Sequence, residues 1–173
     1  MLMLKRRVAI VSILAAILVF FAVGQSSFAK DKLVSYANAR FHFSFMRPIS
    51  FTALEEPANG DGQIFVSEHL KMKISGSGSY NVLEQSALEA AIASVPEGVT
   101  YKKLNCNKSS ESDICVTWKA QGFTYLVRAI RIQAKNEQEP ERLLVLRIEY
   151  PQKNEIKCRG YAKAVIRSLC DTL

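Results

Sequence analysis

The first 29 residues have the pattern of a segment that is removed before the domain folds. A basic triplet at residues 5–7 precedes sixteen residues, Val8 to Val23, in which only Ser12 is polar. Ser27-Phe28-Ala29 then places small side chains at the two positions that a signal peptidase accepts. This order is typical of a secretory signal. We therefore expect cleavage after residue 29 and export of the remaining chain.

An uncleaved membrane anchor is the competing interpretation of residues 8–23. A helix that crosses about 30 Å of hydrocarbon needs about 20 apolar residues, and this run is shorter. The polar residues 24–27 follow it without a basic stop-transfer cluster. The sequence thus favours a periplasmic or secreted protein with no stable membrane span after cleavage.

Removing the leading segment lowers the apparent basicity of the chain. The whole sequence has 23 basic and 16 acidic residues. Three of the basic residues precede residue 30 and no acidic residue does, which leaves 20 against 16, a net charge of +4. That charge is ordinary for solubility. Because the basic residues alternate with acidic ones and form no dense stripe, we expect no nucleic-acid partner.

All four cysteines, Cys106, Cys115, Cys158 and Cys170, lie after the leading segment. In an oxidising compartment this even set predicts two disulfides. A Cys106–Cys115 bridge would close a hairpin loop. A Cys158–Cys170 bridge requires a break at Gly160, because twelve residues of continuous helix span about 18 Å and a disulfide tolerates a Cα separation of about 4.4–6.8 Å.

The same residues argue against a metal or redox site. The chain has no Cys-x-x-Cys sequence, and its two histidines, His42 and His69, stand at no zinc-ligand spacing from the cysteines. We therefore expect structural disulfides, with no metal and no cofactor.

Apolar periodicity predicts a chain of many strands and two helices. Phe41, Phe43 and Phe45 alternate with polar residues, which indicates a strand with one buried face. Similar runs predict further strands over 50–54, 63–67, 70–75, 99–104, 114–120, 123–133 and 143–150. The Ser-Gly-Ser-Gly-Ser sequence at 75–79 is interpreted as a flexible exit from a strand.

Helix signals occur twice. Asn81 and Glu84 have the spacing of a capping box, which predicts a first helix that ends before Pro96. A second helix over about 154–169 would pack through Ala162, Val165, Ile166 and Leu169. With no repeat or linker, the order of elements predicts a single α+β domain over residues 30–173, a mostly antiparallel sheet covered by helices.

No catalytic template fits the sequence. Residues 75–79 lack the Gly-x-Ser-x-Gly pattern of a nucleophile elbow, and residues 59–62 contain one carboxylate where a calcium loop needs several oxygen ligands. The remaining candidates are expected to be surface or core residues instead of sites: His42, Glu55, Glu56, Glu68, His69 and Trp118.

Four segments resemble a broad group of small exported bacterial proteins. They are Tyr36-Ala-Asn-Ala-Arg-Phe-His-Phe-Ser-Phe, Arg47-Pro48, the Asn59-Gly-Asp-Gly turn, and Ile148-Glu-Tyr-Pro151 before the final helix. The resemblance implies a PsbP-like fold, an α/β/α sandwich around an antiparallel sheet. Those proteins share no catalytic motif, so the resemblance implies no functional residue.

These observations predict a non-enzymatic periplasmic module that binds a protein or a cell-envelope component through its sheet face or loops. The alternative is a secreted effector that contacts an external target through the loop between Cys106 and Cys115. A small hydrolase is the third hypothesis, and it requires Glu68, His69 and a serine to converge. The oligomeric state is left open.

Overall fold

A seven-stranded antiparallel sheet is the centre of the computed structural model, which describes residues 31–106, 110–134, 136 and 139–173. In chain order the elements are β1 (Leu33–Asn38), β2 (Phe43–Pro48), β3 (Thr52–Ala53), β4 (Gly62–Ser67), β5 (Met72–Tyr80), α1 (Ala87–Ile92), β6 (Lys102–Leu104), β7 (Asp113–Ala120), β8 (Phe123–Ile132), β9 (Arg142–Pro151), α2 (Glu155–Arg167) and β10 (Cys170–Asp171). The large sheet has the order β3-β4-β5-β9-β8-β7-β6.

A second, three-stranded sheet has the order β1-β2-β10. The sequence patterns predicted one sheet, and this part of the prediction is wrong. The N-terminal strand β2 pairs with β10, a two-residue strand at the other end of the chain. A strand of two residues has no detectable periodicity, so the second sheet is recognisable only from the long-range pairing.

Both faces of the large sheet are covered. On one face, called the α2 face, residues such as Ile74, Leu146 and Ile148 pack against α2 and against the phenylalanines of the small sheet. On the opposite face, called the α1 face, Val116 and Val127 belong to a smaller cluster with α1. The result is a single domain with the layered α/β/α arrangement that the sequence predicted.

The glycine-rich segment is part of a strand, contrary to the prediction of a flexible exit. Gly76 and Gly78 lie inside β5 and pair with β9. A Cβ at Gly76 would overlap the ring of Phe45, and a Cβ at Gly78 would overlap Phe41. These glycines make room for Phe45 of β2 and for Phe41 in the turn before it, so their role is close packing.

The N-cap of helix α1 lies five residues beyond its predicted position at Asn81. Ser86 is the N-cap and forms a capping box with Glu89. Glu84 cannot belong to the helix because its φ is +51°. The buried Asn81 instead donates hydrogen bonds to the Gln85 carbonyl and to Glu141, which fixes the connection between β5 and α1.

Helix α2 runs through Gly160 without a break, and this decides the disulfides. Cys106 and Cys115 are bridged with a Cα separation of 6.1 Å across the β6–β7 hairpin, which confirms the first predicted pair. Cys158 and Cys170 are both unbonded, so the second predicted pair is wrong. Cys158 lies in the first half of α2 and Cys170 lies beyond its end, and the continuous helix keeps them apart.

The predicted signal segment lies outside the described residues. Within the described ranges, every helix is too short or too polar to cross a bilayer.

Candidate functional site: a groove between helix α2 and the sheet

A groove of about 440 Å³ lies between α2 and strands β6 to β9 on the α2 face of the large sheet. We call it the helix–sheet groove. Strand alternation points every second side chain of these strands toward α2, while residues of α2 four apart line the opposite wall. Its lining residues are Leu104, Asn105, Cys106, Thr117, Lys119, Thr124, Leu126, Tyr150, Glu155, Arg159, Ala162, Lys163, Ile166 and Arg167.

The floor of the groove is apolar. Leu126 and Tyr150 come from neighbouring strands, and Ala162 and Ile166 come from α2; all four are buried. Burial and the nearby Glu155 carboxylate raise the pKa of Tyr150 to about 12. The phenol therefore stays neutral at physiological pH, and the floor carries no charge there.

The rim of the groove is basic. Arg159, Lys163 and Arg167 follow one another at four-residue spacing along α2, and Lys119 stands on the sheet side. Glu155 accepts hydrogen bonds from Lys119 at 2.9 Å and from Arg159 at 3.0 Å. These two bonds hold the pKa of the Glu155 carboxyl below its ordinary value. The Glu155 carboxylate is therefore ionised, and the charges of Lys119 and Arg159 balance its negative charge.

Thr124 of β8 lines the groove and is 4% exposed. Its hydroxyl is buried and has no hydrogen-bond partner among the described residues. Buried hydroxyls are nearly always paired, and an unpaired one costs about 1–3 kcal/mol.

The titratable groups of the groove are poorly matched to acid–base chemistry at neutral pH. General acid–base catalysis works best with a pKa near the operating pH. In the groove the Glu155 pKa is lowered and the Tyr150 pKa is raised, so both move away from neutrality. Among the described residues, no cluster of three or more His, Cys, Asp or Glu side chains could hold a metal ion.

The structure does not bring the predicted hydrolase residues together. Glu68 is exposed and pairs with Lys71 at 2.7 Å. The Ser67 hydroxyl accepts a hydrogen bond from the Leu70 backbone, and the side chain of His69 makes no hydrogen bond to a described residue. His42, Glu55 and Glu56 also lie outside the groove.

The cysteines have separate positions. Cys106 lines the groove and Cys115 belongs to the core beneath it. Burial raises the pKa of the Cys158 thiol to about 11, which makes this side chain an unreactive core residue. Cys170 is exposed, with its Sγ 3.1 Å from the Ser44 hydroxyl.

Trp118 is a packing residue on the α1 face, as predicted. It is 3% exposed and stacks on Tyr125 with ring centroids 5.1 Å apart. Its ring is covered, so it offers no free platform for a ligand.

The basic rim of the groove and Thr124 were not predicted from the sequence. The four-residue spacing of Arg159, Lys163 and Arg167 beside the apolar stripe of α2 is a signal that could have indicated its rim. Nothing in the sequence could have indicated Thr124, because an unpaired hydroxyl is a property of the assembled core.

Comparisons with known proteins identify the fold. No protein-family model matches the chain, and no curated protein matches it significantly. The solution structure of cyanobacterial PsbP (CyanoP) from Synechocystis sp. PCC 6803 superposes with a TM-score of 0.50 at 9% identity, covering 84% of this chain and 96% of that chain. A mutant of the protein Mog1 superposes with a TM-score of 0.48 at 13% identity, covering 82% and 96%.

The likeness to CyanoP extends over 84% of this chain and concerns the fold alone, because the identity is too low to transfer a function. The resemblance predicted from the strand and turn motifs is thus confirmed at the level of architecture. The chain has a PsbP-like fold.

Proposed function

We propose that the protein is an exported, non-enzymatic binding module whose ligand occupies the helix–sheet groove. The observation that carries this proposal is the concave groove itself, with its buried apolar floor and its basic rim. Apolar clefts with a few convergent polar groups are the usual form of ligand sites, and a volume of about 440 Å³ lies within their normal range.

A binding role agrees with the electrostatics of the groove. Its one acidic group, Glu155, is neutralised by Lys119 and Arg159. A lone carboxylate held by two cations is a poor proton acceptor, and the described lining residues place no activated nucleophile beside it. The groove therefore has the groups to hold a molecule and lacks a pair of groups that would transform it.

Export is proposed from the leading segment together with the bridged cysteines. A disulfide between Cys106 and Cys115 closes the loop beside the groove, and such bonds persist in oxidising compartments. The periplasm or the extracellular space would provide that condition, and the ligand would then be a protein or a component of the cell envelope.

A capture experiment with an obstructed groove tests the proposal. Leu104 is half-buried on the short edge strand β6 and faces the groove, so Leu104→Trp would fill part of it. Lys103 is its exposed neighbour and its side chain points to the α1 face, because Lys103 pairs with Val116. Lys103→Trp is therefore the matched control.

The wild type and both variants are incubated with bacterial envelope extract, and retained components are identified by mass spectrometry. We expect a component that the wild type and Lys103→Trp retain and Leu104→Trp loses. Equal retention of every component by all three proteins would refute the groove as the binding site.

A further inference from the structure

The charge of the groove lining is unbalanced. It contains four basic side chains and one acidic side chain. Glu155 is engaged by Lys119 and Arg159, whereas Lys163 and Arg167 form no ion pair with any residue in the described ranges. Two cations of the rim are therefore available to a ligand.

These two cations lie on one side of α2. Lys163 and Arg167 are four residues apart and both are exposed, so their side chains point the same way. Both line the groove together with the buried Ala162 and Ile166 of the same helix. A molecule that reaches the two cations thus has apolar surface immediately beside its charged end.

We propose that the groove binds a small anionic amphiphile, a molecule with one apolar chain and a carboxylate or phosphate headgroup. This inference rests on the proposed function and names the ligand class of the same groove. The apolar chain would lie on the floor formed by Leu126 and Tyr150. The headgroup would accept charge-assisted hydrogen bonds from Lys163 and Arg167.

The groove therefore makes two demands on a ligand, apolar area for the floor and negative charge for the rim. An anionic amphiphile meets both.

The probes are dodecanoate, dodecyl phosphate and dodecyl maltoside, titrated calorimetrically below their micelle concentrations, with inorganic phosphate as the headgroup alone. We expect both anions to bind at least about tenfold more tightly than the uncharged maltoside, which corresponds to about 1.4 kcal/mol. Inorganic phosphate alone should bind more weakly than dodecyl phosphate. The ratio between the two anions distinguishes a carboxylate from a phosphate ligand.

Two variants test whether Lys163 and Arg167 cause the preference for anionic probes. The double variant Lys163→Gln/Arg167→Gln should weaken binding of both anions by about tenfold or more and change maltoside binding by less than about twofold. Lys153→Gln removes an exposed charge outside the groove lining and should change neither. Proton–nitrogen chemical-shift mapping locates the bound probe.

The outcomes separate the ligand class from the groove itself. Equal affinity for all three dodecyl compounds, lost in Leu104→Trp but unchanged in the double variant, would overturn the anionic ligand and leave the groove as a binding site. Binding of an acidic peptide in place of the amphiphiles would do the same, in favour of a protein partner. Shifted signals outside the groove, or no binding by any probe, would overturn the anionic amphiphile. The groove as a binding site is overturned separately, by equal retention of every component in the capture experiment.

Discussion

Replacing Gly76 with alanine should destabilise the domain although alanine is otherwise acceptable in a strand. The backbone at Gly76 is not in the left-handed region, so only space decides the outcome. The added Cβ would overlap the ring of Phe45, which is 1% exposed and packed among other core side chains. The ring has no solvent into which it could move.

The expected loss follows from two opposing effects. Overpacking a core costs about 1–3 kcal/mol, while alanine in place of glycine restricts the unfolded chain and contributes about 0.4–1 kcal/mol to stability. The free energy of unfolding should therefore fall by about 1–2 kcal/mol. The melting temperature should fall by about 2–4 °C for each kcal/mol in a domain of roughly this size.

Urea denaturation followed by Trp118 fluorescence measures this change. The matched control is Ser77→Ala, whose side chain is exposed on the α1 face and which should change stability by less than about 0.5 kcal/mol. Phe45→Leu replaces the opposing ring with a smaller side chain. The Gly76→Ala/Phe45→Leu double variant should therefore lose less stability than the sum of the two single variants, by about 0.5 kcal/mol or more. A neutral or stabilising Gly76→Ala, or strict additivity, would refute the packing argument.

Three further changes test other parts of the structure. Thr124→Val should raise the free energy of unfolding by about 1 kcal/mol, since it removes an unpaired buried hydroxyl; a destabilised variant in urea denaturation would contradict this assignment. Burial raises the pKa values of Tyr150 and Cys158 to about 12 and about 11. Both groups therefore lose their protons at a higher pH in the folded state than in the unfolded state. The free energy of unfolding should fall as pH rises from about 9 to 12. Urea titrations at pH 8 and 11 should show this fall, and Tyr150→Phe should make the fall smaller. The same free energy of unfolding at both pH values would argue against this linkage. Iodoacetamide should label Cys170 in the native protein and Cys158 only after unfolding; mass spectrometry that finds both cysteines unlabelled even after unfolding would indicate a Cys158–Cys170 bridge instead.

Local patterns correctly predicted the strands and helices whose buried residues recur at the period of the element itself. The alternation of Phe41, Phe43 and Phe45 indicated a one-sided strand, and all three are buried. Ala162 and Ile166 marked the buried stripe of α2 in the same way. In both cases the periodicity of burial is set by the element itself, so it can be read from the sequence alone.

The failures have a common physical origin in contacts between distant segments. Gly76 and Gly78 resemble a flexible connection until the phenylalanines of β2 and the turn before it are packed onto them. The pairing of β10 with β2 joins residues more than 120 positions apart. The groove depends equally on distant segments, because its hydroxyl and its cations come from a strand and a helix that meet only in the folded chain.

Arg128 fixes the position of one wall of the groove relative to the other, which affects how a ligand would bind there. Its buried guanidinium binds Asp113 at 2.7 and 2.8 Å and donates to the carbonyls of Ile166, Arg167 and Leu169 at the end of α2. Those carbonyls have no partner within the helix, so one strand residue fastens the helix end to the sheet. The two walls are therefore ordered during folding and not on binding, and ligand entry should follow a single kinetic phase without a slow rearrangement.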